Sequence, residues 1–120
     1  MNKQEKDIIR LIQRSLTNEL RKPNWRSNRN KMAGHSYVAA EAAFYLIGKN
    51  YKLCSMRHEN RMHWYLLNKE DVVIDPTVSQ FKNKPDYSQG VFCDFFTKVP
   101  SKNAAVVIDR VTNMILSGKL

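Results

Sequence analysis

Three positions in this 120-residue chain have the side chains, and the order, of a nucleophile, a base and an orienting acid: Ser36, His63 and Asp75. Ser36 stands at the head of the least polar long run, Gly34-His35-Ser36-Tyr37-Val38-Ala39-Ala40-Glu41-Ala42-Ala43-Phe44-Tyr45-Leu46-Ile47-Gly48. A nucleophile at the start of a helix lies where the helix's positive end favours an anion. Backbone N–H groups at the same point can bind an oxyanion. A histidine on a facing strand takes or shares the proton, and a carboxylate fixes the imidazole. The plainer account of the run is a buried central helix with a serine at its start.

The elements that must position these groups follow from periodicity. Ile8, Ile9, Ile12, Leu16 and Leu20 recur at helical spacing, which predicts an amphipathic helix over residues 4 to 21, ended by Pro23. Residues 23 to 34 read as a loop anchored into the core by Trp25, and residues 36 to 47 as the second helix, stopped by Gly48. Strands are expected at 51–57, 62–67 and 72–75, with a short edge strand at 91–96. Ser101 reads as the N-cap of a last helix running to Leu116. A symmetric turn at Asn68-Lys69-Glu70 sets Leu67 opposite Asp71 and therefore His63 opposite Asp75. Both side chains then project from one face of the sheet, because side chains alternate with period two. The order of elements describes an α+β domain with a central helix on a small antiparallel sheet and flanking N- and C-terminal helices.

Length and composition narrow the function classes. A chain of this size forms one domain with one core. No run is long enough to span a bilayer, and residues 1 to 6 open no signal peptide, so a cytoplasmic, non-membrane protein is expected. Cys54 and Cys93 are too few for a disulfide framework or a zinc site and read as packing residues. The three histidines lack metal-ligand spacing, so neither metal nor other cofactor is expected. The net charge is +9, and residues 1 to 31 hold nine Lys/Arg against three acids. Arg21, Lys22, Arg26, Arg29 and Lys31 share an acid-free segment that could meet nucleic acid or an acidic protein, or simply form a solvated basic loop.

Four strings acquire meaning together: Gly34-His35-Ser36-Tyr37-Val38-Ala39, Arg57-His58-Glu59, His63-Trp64 and Asp75-Pro76-Thr77-Val78-Ser79-Gln80-Phe81. They resemble a group of small phage and bacterial proteins whose pattern runs G-H-C-Y-V-A, R-H-E, H-W and D-P-T-x-x-Q-F. That group looks like a compact, YunG-type branch of the papain-like and transglutaminase-like class. The resemblance covers roughly residues 30 to 105, including Thr97-Lys98-Val99-Pro100-Ser101. It implies a papain-like core over 34–118, a basic helix and loop over 1–33, and a thiol hydrolase or acyltransferase acting on an amide, ester or thioester carbonyl, with a protein or peptide as substrate. It implies a cysteine nucleophile at position 36, His63 as base and Asp75 as acid.

Serine at 36 leaves three readings: an inactivating substitution, a serine nucleophile activated by His63, or a binding module descended from an enzyme. The last would be a catalytically silent adaptor using the basic segment. Asn30 lies where papain-like enzymes place an oxyanion-hole amide. His35 reads either as a supporting group or as a partly exposed helix-start histidine. Gln80 is expected to brace the loop after Asp75. Arg57, His58 and Trp64 are candidate substrate contacts, with His58 beside Glu59 equally readable as a surface ion pair, and Trp64 on the strand face opposite His63.

Overall fold

A computed structural model describes residues 1 to 48 and 50 to 118. It has three helices, α1 (Lys3–Ser15), α2 (Ser36–Ile47) and α3 (Lys102–Leu116), and four strands, β1 (Lys52–His58), β2 (Arg61–Leu67), β3 (Val73–Ile74) and β4 (Val91–Phe92). The strands form one antiparallel sheet in the order β3-β2-β1-β4, so the fold is α+β. The helices pack on one another and, through α2, on one face of the sheet. Ile8, Ile12, Ala39, Ala43, Leu53, Leu66, Ile74 and Val107 meet there in a common core. The opposite face carries a smaller cluster of Cys54, Met56 and Tyr65. No helix among the described residues is long and apolar enough to cross a membrane.

The first helix starts on a capping box: the Asn2 side chain accepts the Glu5 N–H, and the Glu5 carboxylate accepts the Asn2 N–H. It ends at Ser15, six residues before the expected end, for a tertiary reason. Arg110, on α3, donates to the Ser15 carbonyl and to Thr17 Oγ1, which draws the chain out of the helix. Leu16 is extended, and the chain continues through short 3₁₀ turns at Asn18–Leu20 and Pro23–Trp25. Leu16 and Leu20 are buried all the same.

The β2–β3 connection corrects the expected register. Leu67 pairs with Val73 rather than facing Asp71. Asp71 adopts φ +59°, Asp71 N–H donates to the Asn68 carbonyl, and the Asn68 side chain accepts from Glu70 and Val72. Five residues, 68 to 72, thus separate the paired Leu67 and Val73, two more than in the symmetric turn expected, and Asp71 closes the turn in a left-handed conformation. The register moves by two residues, and an even shift leaves every side chain on its face. Continued outward, it sets Asp75 opposite Tyr65, with His63 two residues along β2 and so on the same face.

Gly34 sets the entry to α2. Its φ is +83°, and a Cβ built there would lie 2.7 Å from Trp25 Cγ. Gly34→Ala is therefore expected to destabilise the protein by about 2 kcal/mol, from the left-handed backbone and the clash together. Urea unfolding with tryptophan fluorescence measures both the loss and the displaced indole.

Candidate active site

Ser36 is the first residue of α2, and His35 is the N-cap. No side chain among the described residues caps this helix, so its first N–H groups have no intrahelical or capping acceptor there. The Ser36 hydroxyl does not cap; it accepts a hydrogen bond from the Trp64 N–H at 3.4 Å, tying the start of α2 to β2 next to His63. A helix that opens uncapped presents its positive end to whatever lies in front of it.

His63 is fully buried, and its Nε2 lies 2.7 Å from Asp75 Oδ2. The same oxygen accepts the Tyr87 hydroxyl at 2.7 Å. On the other side of the ring, Nδ1 faces Gln80 Nε2 at 3.4 Å. The protonation pattern follows from one residue that cannot accept. Arg61 carries only donors, and its Nη1 meets Gln80 Oε1 at 3.2 Å. That contact turns the Gln80 NH₂ toward His63, with a second bond to Thr77 Oγ1 at 3.1 Å. His63 Nδ1 must then be the acceptor, and Nε2–H the donor to Asp75. This is the tautomer a base needs, with its lone pair on the side away from the carboxylate. No hydrogen bond joins Ser36 to His63 among the described residues; Gln80 occupies the Nδ1 direction.

Gln80 thus braces His63 as well as the loop after Asp75. Arg61 was not singled out in the sequence. It lies two residues before His63 on the same strand, and the period-two alternation was the signal that could have found it. Burial and the neighbouring Asp75 carboxylate push the Tyr87 phenol far up, and burial raises Tyr65 to about 12. Both hydroxyls are therefore donors, Tyr65 to the Tyr87 carbonyl and Tyr87 to Asp75.

In front of Ser36 lies a cleft of about 590 Å³, bordered by Trp25, Gly34, Ser36, Trp64 and Gln80. Neither His63 nor Asp75 borders it; Gln80, which does, is the residue that faces His63 Nδ1. Trp64 faces the α2 side of β2, opposite His63, half-buried against Tyr37 at the cleft wall. Trp25 likewise forms a wall of the cleft rather than a core anchor, with the Arg61 guanidinium 5.1 Å above its ring. A larger hollow of about 740 Å³ lies across the sheet near Glu5, Lys52, Glu70 and Phe92, away from the His63–Asp75 pair.

Several expected roles are replaced by structural ones. The Asn30 side-chain amide donates to the Ser79 carbonyl, and its oxygen accepts the Met32 N–H, so its polar atoms serve the loop and not an oxyanion. Arg57 and His58 lie outside the cleft. His58 Nε2 sits 2.7 Å from the Asn83 carbonyl and 3.4 Å from Glu59, whose carboxylate accepts the Lys82 and Asn83 N–H groups. His58 and Glu59 therefore pin the 82–83 loop to the β1–β2 turn. Arg21 is no exposed cation: it is buried, and its guanidinium donates to the carbonyls of Asn28, Asn30 and Ala33. Lys22, Arg26, Arg29 and Lys31 are exposed. Among the described residues, no group of three or more His, Cys, Asp or Glu side chains could hold a metal ion.

His35, expected to be partly exposed, is 1% exposed, and neither ring nitrogen has a hydrogen-bond partner among the described residues. Burial, with the Arg21 charge nearby, lowers its pKa to about 4. Between its ordinary value of 6.5 and about 4, the unfolded chain binds a proton that the folded chain refuses. Stability is therefore lost as pH falls through this window. At pH ~4.5 the loss from this group is about 2 kcal/mol. Urea midpoints at neutral pH and in this window, for the wild-type chain and His35→Leu, should show the variant losing less; equal losses would contradict a neutral buried imidazole.

No family model, curated protein or solved structure matches the chain, so its functional reading rests on this geometry and on the residues that carry the resemblance.

Proposed function

We propose that the chain carries a papain-like acyl-transfer site, in which position 36 is the nucleophile, His63 the base and Asp75 the group that orients and stabilises the imidazole. The observation that carries this reading is the buried His63–Asp75 pair, whose tautomer keeps the Nδ1 lone pair clear of the carboxylate, beside an uncapped helix start at Ser36 whose hydroxyl accepts the N–H of Trp64, the residue after His63. In attack, the Ser36 proton passes to His63 Nδ1 as Oγ bonds to the carbonyl carbon of an amide, ester or thioester. The carbonyl electrons move to oxygen, where the free N–H groups of the first turn of α2 can receive the negative charge. Collapse restores the carbonyl, and the leaving group departs with the proton from His63. Water or another nucleophile then releases the acyl group by the reverse sequence.

With serine at 36, the hydroxyl rests on the Trp64 N–H, and Gln80 must turn from Nδ1 before the proton can move. A hydroxyl is also far too weak an acid to ionise at a helix end, so the serine chain acylates slowly and a thiol at this position does so faster. Peptide amides, side-chain amides and thioesters all present a carbonyl suited to this chemistry.

The test is acetylation by 4-nitrophenyl acetate, read by intact mass and peptide mapping, in the wild-type chain, Ser36→Cys and each with His63→Ala. Acetyl groups concentrated at position 36, faster with cysteine and lost without His63, are expected. Acetylation spread over surface lysines, and indifferent to His63, would overturn the reading.

A further inference from the structure

We propose that the cleft in front of Ser36 receives a small organic anion bearing an aromatic or similarly flat apolar group. The inference rests on the acyl-transfer reading only in naming this anion as the acyl substrate; the binding itself follows from the walls. Four aromatic rings border the cleft: Trp25, Tyr37, Trp64 and Phe96. Phe96 is 74% exposed and lies flat on Tyr37, with ring centroids 4.4 Å apart, and Trp64 meets Tyr37 edge-on at 5.6 Å. A flat ring can join this shelf by stacking or by its edge, burying Phe96 surface that water now covers.

Charge selects among flat apolar ligands. Lys22, Arg61 and Lys102 border the cleft, and among the described residues no Asp or Glu does. Arg61 gives Nη1 to Gln80 and keeps further N–H donors for a ligand. Glu41, on the adjoining face of α2, is fully buried, and both its oxygens are taken by Ser101, the N-cap of α3. The uncapped start of α2 adds a positive end at Ser36. A volume of about 590 Å³ is that of a small-molecule site.

The two tryptophans of the chain, Trp25 and Trp64, both border this cleft, so intrinsic fluorescence reports on it. Three probes share one ring and differ in charge: phenylacetate, phenylacetamide and phenethylamine. Titrated into the wild-type chain, phenylacetate should change the fluorescence saturably and bind at least about tenfold tighter than phenethylamine, with the neutral amide between. Arg61→Gln should remove most of this preference. Lys22→Gln/Lys102→Gln, confined to exposed side chains, should reduce it without disturbing the fold. Equal affinity for the three probes, or no saturable change with any, would overturn the proposal.

A second arm separates this inference from the acyl-transfer reading. In Ser36→Cys, the ratio of iodoacetate to iodoacetamide labelling at position 36 should exceed that of a free cysteine peptide, and fall toward it with Arg61→Gln. A fast thiol without that preference would overturn the anion site and leave the nucleophile standing. Selective phenylacetate binding beside an inert thiol would do the reverse.

Discussion

Asp75→Ala should lower the free energy of unfolding by about 3 kcal/mol and weaken the reactivity of any nucleophile placed at position 36. Asp75 Oδ2 accepts two hydrogen bonds of 2.7 Å, from His63 and from Tyr87, and the His63 side chain is wholly removed from water. Truncation strands both donors, and a buried unsatisfied group costs about 1–3 kcal/mol. Part of that loss is offset, because Asp75 Oδ1 is itself buried without a partner among the described residues and its desolvation is relieved. Asp75→Asn keeps an acceptor in place and should cost less. The carboxylate also helps hold the Tyr87 phenol up, so Asp75→Ala should let Tyr87 ionise at lower pH. Urea unfolding and an ultraviolet tyrosine titration measure these two effects. A stability change within about 0.5 kcal/mol, the range of an ordinary surface substitution, would contradict the buried pair.

How much of this was legible in the sequence depends on how local each cause is. The bounds of α2 agree with expectation because Gly34 and Gly48 break the backbone on either side of an apolar run. Ser101 as the cap of α3 is local as well. The end of α1 was not legible, since the group that stops it, Arg110, lies at the far end of the chain. The β2–β3 register was miscounted because Asp71 takes a left-handed conformation that lengthens the turn, a choice a non-glycine residue does not announce. The error spared the facing of His63 and Asp75 only because it was an even number of residues.

The polar residues divide similarly. Arg21 and Asn30 look available in a sequence because nothing there reveals which carbonyls will need donors once the 28–33 loop is folded. Ser36 looks like a cap, yet the chain places it one residue inside the helix, where its hydroxyl meets β2 instead. Gln80 was visible as a brace but not as the group that fixes the His63 tautomer, because that role needs Arg61 on its other end.

A thiol at position 36 is the most direct probe of the central claim. An uncapped helix start favours a thiolate, and so does His63 in its proposed role as base, so the Ser36→Cys thiol should ionise near pH ~6 rather than near ~8.5. At mildly acidic pH the thiolate population then rises about 100-fold over an ordinary cysteine, and lower intrinsic nucleophilicity returns about tenfold of that. The net expectation is alkylation about tenfold faster than a free cysteine peptide, while Cys54 stays inert because burial raises its thiol pKa. His63→Ala should bring the rate back to that of the free peptide, and Asp75→Ala should do so in part, since Asp75 acts through the imidazole. The measurement is the pH dependence of iodoacetamide labelling at position 36, read by intact mass and peptide mapping, in Ser36→Cys with and without His63→Ala. An apparent pKa near ~6 that rises to ~8 or above when His63 is removed is the predicted result. An apparent pKa near ~8.5 in both proteins would show that position 36 and His63 do not act together.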